Sequence, residues 1–330
     1  MIKQVYNSSL RTIFQVNPLL VEAKEIANMA ARTISPLNAF LMLCLITFWG
    51  SSFVIVKATL REGMSPVAIA TFRFLTAGGL FITALLLNKI KNSNYVLLVD
   101  KKDVPTLVVL ALTGVTFFFT IQYTGILMAS ASLASILVCL LSPILISIIS
   151  ARIFKERLTT RQILGIGIAA MGTFTVVTGG ALNLQNNMSF FLGTLILLST
   201  PFLWATYTLI GKKIIEKYSP FLIVAYVNIL GGLCLVPFSL AENSFHEIFT
   251  LNLQEWSAIL FLAFTCSLLG YFIWFYVMKQ VRAAVTSSFM FGEPLITVLF
   301  ATIFIREEMT PFTVIGGLLI FVGVYLVSRQ

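Results

Sequence analysis

The chain has 330 residues, 58% of them hydrophobic and 11% charged, with a mean hydropathy of +0.96. Soluble domains carry about 25% charged residues, so this composition excludes a soluble domain, and with it a nucleic-acid-binding module or a disordered chain. The formal net charge of +9 takes its meaning from where the basic residues fall.

Residues 1–38 are mixed and carry Lys3, Arg11, Lys24 and Arg32. No apolar core of a signal peptide lies among them. Segment 17–35 presents Leu20, Ala23, Ala27 and Ala30 on one helical face, so it reads as an interfacial helix or as a solvated tail. Ten apolar runs follow, at 39–59, 66–88, 104–126, 131–151, 162–181, 190–211, 221–241, 256–278, 283–305 and 312–328. A membrane-spanning helix needs about 20 mainly apolar residues. A barrel strand needs about 10 with alternating polarity. The runs have the first length and no alternation, which predicts an all-α integral membrane protein of ten transmembrane helices. With the N-terminus placed in the cytoplasm, 18 lysines and arginines fall on the cytoplasmic side. Three, Lys57, Arg61 and Arg306, fall outside, and Arg73 lies within a span. The positive-inside rule then puts both termini in the cytoplasm of a multi-pass cell (inner) membrane protein. The basic excess is a topology signal, and no nucleic-acid partner is needed to explain it.

The chain repeats itself. Pro143, Glu156, Thr159, Gly165 and Gly172 recur as Pro294, Glu307, Thr310, Gly316 and Gly323, each 151 positions on. A second match joins Trp49 and Lys57 to Trp204 and Lys212 at a spacing near 155. The halves are 39–181 and 190–328, with five spans each. An odd number of spans inverts the second half, and inverted repeats are a common construction of secondary transporters. Thr159 with Gln162 reads as a capping box, and Thr310 before Pro311 as an N-cap with proline at the first helical position. Glu156 and Glu307 then read as turn residues near the interface, where charge costs little.

This pattern resembles the drug/metabolite transporter superfamily of the EamA type over about 39–328. The marks are Trp49-Gly50-Ser51-Ser52-Phe53, the second span from Pro66 to Arg73, the doubled ending of each half, and Glu293-Pro294 in the ninth span. The 38-residue leader departs from the usual short N-terminus. The resemblance implies a non-enzymatic transporter of small metabolites, often amino acids or related compounds, working by alternating access. A nucleoside-like or drug-like solute and a membrane-embedded enzyme are the alternatives.

Two charged residues fall well inside spans. Arg73 lies roughly 10 Å below the outer surface and Glu293 roughly 15 Å in, at a rise of about 1.5 Å per residue. Arg73 either attracts an anionic group or snorkels to the headgroups. Glu293 either faces a cavity, meeting an ammonium or a proton, or ties helices together. Trp49, Ser51, Tyr123, Trp204, Tyr207, Asn228 and Trp274 complete the candidate substrate-binding residues, with Ser52, Gln122 and Tyr271 beside them. Tyr123 and Trp274 also fit interfacial belts. Pro143 and Pro294 are candidate kinks. The glycines at 165, 167, 172, 316, 317 and 323 read as close helix packing. Cys44, Cys139, Cys234 and Cys266 lack metal-ligand spacing, and His246 stands alone in an outer loop, so no metal, cofactor or catalytic group is expected.

Overall fold

The computed structural model describes residues 35–93, 97–153, 160–178, 188–281, 286–287 and 289–328. The tail reading for 1–34 and the capping box at Thr159 lie outside the described residues, as does Glu156. Every regular element among the described residues is helical.

Among the described residues six helices are long and apolar enough to cross a membrane. They are α1 (Pro36–Arg61), α2 (Pro66–Lys91), α3 (Lys101–Met128), α6 (Met188–Ile214), α7 (Pro220–Ala241) and α8 (Leu253–Gln280). Shorter apolar stretches lie within α4 (Ala131–Ile153), α5 (Thr160–Thr178), α9 (Phe289–Ile305) and α10 (Pro311–Ser328). The starts follow one local rule. Ser35, Ser65 and Ser219 each cap the helix that opens with the next residue, a proline. Thr310 accepts from the Thr313 amide at 3.1 Å ahead of Pro311. A hydroxyl satisfies one orphan amide, and proline at the first position has no amide to orphan. The proline rule therefore starts α1 at Pro36, three residues before the apolar run begins.

Prolines inside the rods act differently. Pro143 and Pro237 lie within α4 and α7. Pro201 breaks α6 into Met188–Leu197 and Thr200–Ile214. Pro294 does not interrupt an α-helix: it stands in the first turn of Glu293–Ile305, after the 3₁₀ turn Phe289–Gly292. A residue without an amide donor fits the start of a helix at no cost.

Two stretches are π-helical, Leu112–Thr116 in α3 and Leu262–Gly270 in α8. They occupy matching places in the two halves, one repeat apart. The packing repeats too. Helix α1 lies on α9 and α6 on α4, while the mates α2 and α7 pack together, as do α5 and α10. The mates run antiparallel. Along α2, Phe74 lies by Gly232, Gly78 by Ile229 and Phe81 by Phe221. In α5 and α10, a Cβ added to Gly172 would lie 2.6 Å from the Gly316 carbonyl oxygen, and one added to Gly323 would lie 2.5 Å from that of Gly165. Only glycine permits backbones this close.

Contacts between loops sort to the two ends of the bundle. At one end Arg61 donates to the Ile305 carbonyl (2.7 Å), Gln254 to Glu62, and Ser65 to Glu242 and Glu247. At the other, Lys217 holds Asp100 and Asp103, Tyr226 donates to the Leu97 carbonyl, and Asn38 meets Gln280. The lysine there keeps both carboxyls below the ordinary carboxylate range through direct hydrogen bonds.

Candidate functional site: a buried cavity between the halves

Near the middle of the bundle both halves contribute to one cavity of ≈ 30 Å³. Trp49, Ser52 and Phe53 come from α1, Arg73 from α2, and Phe118, Phe119 and Gln122 from α3. Val138 and Cys139 come from α4, Trp204 from α6, Tyr271 from α8, and Met290 and Glu293 from α9. That volume holds a water molecule or two and no metabolite.

Arg73 is 1% exposed, so it does not snorkel. Its Nε donates to Ser267 Oγ at 2.8 Å and its Nη1 to the Tyr123 hydroxyl at 2.5 Å. The guanidinium carbon lies 4.5 Å from the Phe119 ring centroid and 4.9 Å from that of Phe74. These partners are neutral: hydroxyls satisfy two of five donors and aromatic faces attract the cation. Glu293 is 2% exposed. Its carboxyl meets the Cys139 thiol, and Oε2 has no partner among the described residues. The two buried residues of opposite charge thus line one cavity without pairing with each other.

Beside them, three of the four tryptophans form a single cluster with two tyrosines. The Trp49 centroid lies 5.3 Å from Trp204 and 5.6 Å from Trp274, and Tyr207 and Tyr271 extend the cluster at 5.3 Å and 6.1 Å from Trp204. The edge-on and tilted arrangements are those ring quadrupoles favour. The π-helical stretches tie this cluster across the halves. Trp49 Nε1 donates to the Cys266 carbonyl at 3.0 Å, inside the α8 stretch. The Tyr271 hydroxyl donates to the Gly114 carbonyl at 2.7 Å, inside the α3 stretch. A π-stretch disturbs the regular ladder and often marks a functional place, and here each one accepts a donor from the opposite half.

Of the residues singled out from sequence, Trp49, Ser52, Arg73, Gln122, Trp204, Tyr271 and Glu293 line the cavity. Tyr123 stands behind, supporting Arg73. Tyr123 and Trp274 are 2% and 0% exposed, so neither belongs to an interfacial belt. Ser51 is turned away and donates to its own helix at Phe48; Ser52 takes the cavity position. Tyr207 backs Trp204, its hydroxyl without a partner among the described residues. Asn228 is buried on α7, away from the cavity lining, and donates to the Val224 carbonyl of its own helix at 2.8 Å. Sequence reasoning missed Phe118, Phe119, Val138, Cys139 and Met290 as lining residues and Ser267 as the partner of Arg73. Apolar residues in an apolar run carry no mark of their role. Among the described residues no group of histidine, cysteine and carboxylate side chains is placed to hold a metal.

Comparison with known proteins follows the same outline. The EamA-like transporter family pattern matches residues 37–178 and 191–329. An uncharacterised transporter of Archaeoglobus fulgidus is 30% identical over 285 residues, covering 86% of this chain and 96% of that protein. A Salmonella typhimurium protein named a probable amino-acid metabolite efflux pump is 26% identical over 304 residues, covering 88% and 94%. A solved crystal structure superposes with a TM-score of 0.60 at 17% identity, over 89% of this chain and 98% of that one, which is a likeness of fold alone.

Proposed function

The chain belongs to the EamA-like transporter family, as a multi-pass membrane transporter of small molecules and not an enzyme, and on that premise we propose that it carries a small organic metabolite across the cell membrane by alternating access of the central cavity. The proposal includes ten spans, two inverted halves at 39–181 and 190–328, and both termini in the cytoplasm. Antiparallel repeat mates support the inversion, and the basic residues support the orientation.

The substrate class follows from the cavity. An amino acid or related compound brings a carboxylate to Arg73 and an ammonium to Glu293, supplying each buried charge with the counter-charge it lacks. The Salmonella relative, by its name, handles amino-acid metabolites. The observation that carries the reading is a buried guanidinium and a buried carboxyl that line one cavity built by both halves without pairing with each other. The proposed bending points are Pro143, inside α4, and in the second half the junction of 3₁₀ turn and α-helix that Pro294 marks in α9.

The test is uptake and counterflow in proteoliposomes with a radiolabelled metabolite panel, using wild type, Arg73→Gln and Glu293→Gln. Saturable counterflow of a zwitterion, lost in both variants, supports the proposal. Transport that survives in both variants contradicts the roles given to these residues. A second reading, a flat nucleoside-like or drug-like solute, draws on the Trp49, Trp204 and Trp274 cluster. Counterflow of such a solute that ignores Arg73→Gln would favour it.

A further inference from the structure

Glu307 carries the repeated carboxylate that the sequence presents as a turn residue. Its surroundings give it more to do. Arg306 adopts a left-handed conformation (φ 48°) at the end of α9. That turn directs the chain so that the Glu307 carboxylate reaches the other half. Oε1 accepts from the Ser132 amide at 2.9 Å and Oε2 from the Ala131 amide at 3.0 Å. The side chain thus caps the N-terminus of α4 with charge-assisted bonds, and the residue is 8% exposed. Beside it, Lys57 Nζ of α1 donates to the Ile126, Leu127 and Ala129 carbonyls at and just beyond the end of α3. Arg61 joins α1 to the end of α9 at the Ile305 carbonyl.

The location matters for the cavity. Helix α4 carries Cys139 and α9 carries Glu293, and these two meet inside. Ser132 stands seven residues before Cys139, roughly 10 Å along the helix. Glu307 therefore clamps together, at one mouth, the helices whose separation would expose the cavity there. A hollow of ≈ 300 Å³, lined by Lys57, Arg61, Leu127, Ser130 and Glu307 among others, lies over the clamp and brings solvent to it.

The opposite mouth holds no buried carboxylate cap among the described residues; Tyr218 donates to Asp103, Tyr226 to the Leu97 carbonyl and Asn38 to Gln280 there. Lys217, Asp100 and Asp103 also join the two halves, but their side chains are 42%, 57% and 23% exposed. Exposed ion pairs contribute little, whereas buried charge-assisted bonds are among the strong ones.

We infer that Glu307 is a latch between α4 and the α9–α10 corner that must release before the cavity opens at its own end, the outer one on the basic-residue orientation, so that the resting protein opens preferentially at the Lys217 end. The inference rests on the alternating-access reading.

The experiment uses Cys139 as a native reporter, with Cys44, Cys234 and Cys266 replaced by alanine. A membrane-impermeant thiol reagent is applied separately from each side of sealed, oriented proteoliposomes. Glu307→Ala is expected to raise the outer-side labelling rate at least about tenfold, the loss of one charge-assisted bond, without raising the inner-side rate. Glu307→Gln keeps one acceptor and is expected to give a smaller rise. Lys217→Ala is expected to raise labelling from the inner side alone. An unchanged outer rate in folded, monodisperse Glu307 variants overturns the latch, and so does an equal rise from both sides, the mark of a merely structural cap. If Lys217→Ala responds and Glu307→Ala does not, the latch falls while alternating access stands. If Cys139 is reached from one side only in every variant, the transport cycle itself falls and the latch with it.

Discussion

Glu293→Met separates a functional carboxyl from a structural one. In the native protein Glu293 Oε2 is buried with no partner among the described residues. A buried polar atom left unpaired costs about 1–3 kcal/mol. The opposing term is the contact with the Cys139 thiol, a weak donor whose bond contributes at most about 1 kcal/mol. Methionine has similar length and fills irregular space with no polar demand. The variant is therefore expected to gain about 1–2 kcal/mol, a rise of roughly 1–3 °C in the apparent melting temperature for a chain of this length, while losing counterflow. Thermal unfolding in detergent and exchange of radiolabelled solute in proteoliposomes are measured on the same preparation. The reasoning is refuted if Glu293→Met melts several degrees lower than wild type, which would make the carboxyl a structural tie. It is refuted equally if the variant exchanges solute at the native rate.

Other expectations follow from single contacts. Gly172→Ala and Gly323→Ala place a Cβ 2.5–2.6 Å from a backbone oxygen of the partner helix, so each should cost about 1–3 kcal/mol. Gly167→Ala, with nothing within 4 Å, should be neutral or stabilising by up to about 1 kcal/mol; equal melting of all three would discredit the close packing of α5 and α10. Trp49→Phe strips the Cys266 carbonyl of its donor and should destabilise by about 1–3 kcal/mol more than Trp204→Phe, because the Trp204 indole nitrogen has no partner to lose among the described residues. A smaller loss for Trp49→Phe would contradict the role given to the α8 π-stretch. Asp100 and Asp103 are held below their ordinary values by Lys217. Their contribution to stability is thus complete above about pH 4 and lost as pH falls through the depressed values. Asp103→Asn should flatten the loss of thermal stability on acidification from pH 5 to pH 2.5. The effect is small, because the pair is exposed, and an unaltered acid profile would refute it.

Hydropathy and punctuation made the helices legible. Serine or threonine before proline marks four helix starts, at Pro36, Pro66, Pro220 and Pro311. Arg73 and Glu293 were legible because ionisable residues are rare at membrane depth. The π-stretches were not: residues 112–116 and 262–270 read as ordinary apolar helix, and the donors that reach their carbonyls, Tyr271 and Trp49, come from the other half. One residue is about 100° of helix rotation, so the sequence, which named both Ser51 and Ser52, could not tell which of the two the structure turns to the cavity. Asn228 shows the same limit: a deep amide looks alike whether it meets a cavity or its own helix, and here it donates to Val224. Glu307 read as a turn residue because its partners, the Ala131 and Ser132 amides, lie more than 170 positions away.

Sidedness at equivalent positions tests the inverted architecture most directly. Lys91 ends α2 and Glu242 caps the end of α7; they are repeat mates 151 positions apart, and both are exposed. Single cysteines at 91 and 242, each in a background without the four native cysteines, are to be labelled in intact cells with a membrane-impermeant maleimide. The account predicts labelling at position 242 from outside, and at 91 only after the membrane is opened. Labelling of both positions from the same side would contradict it.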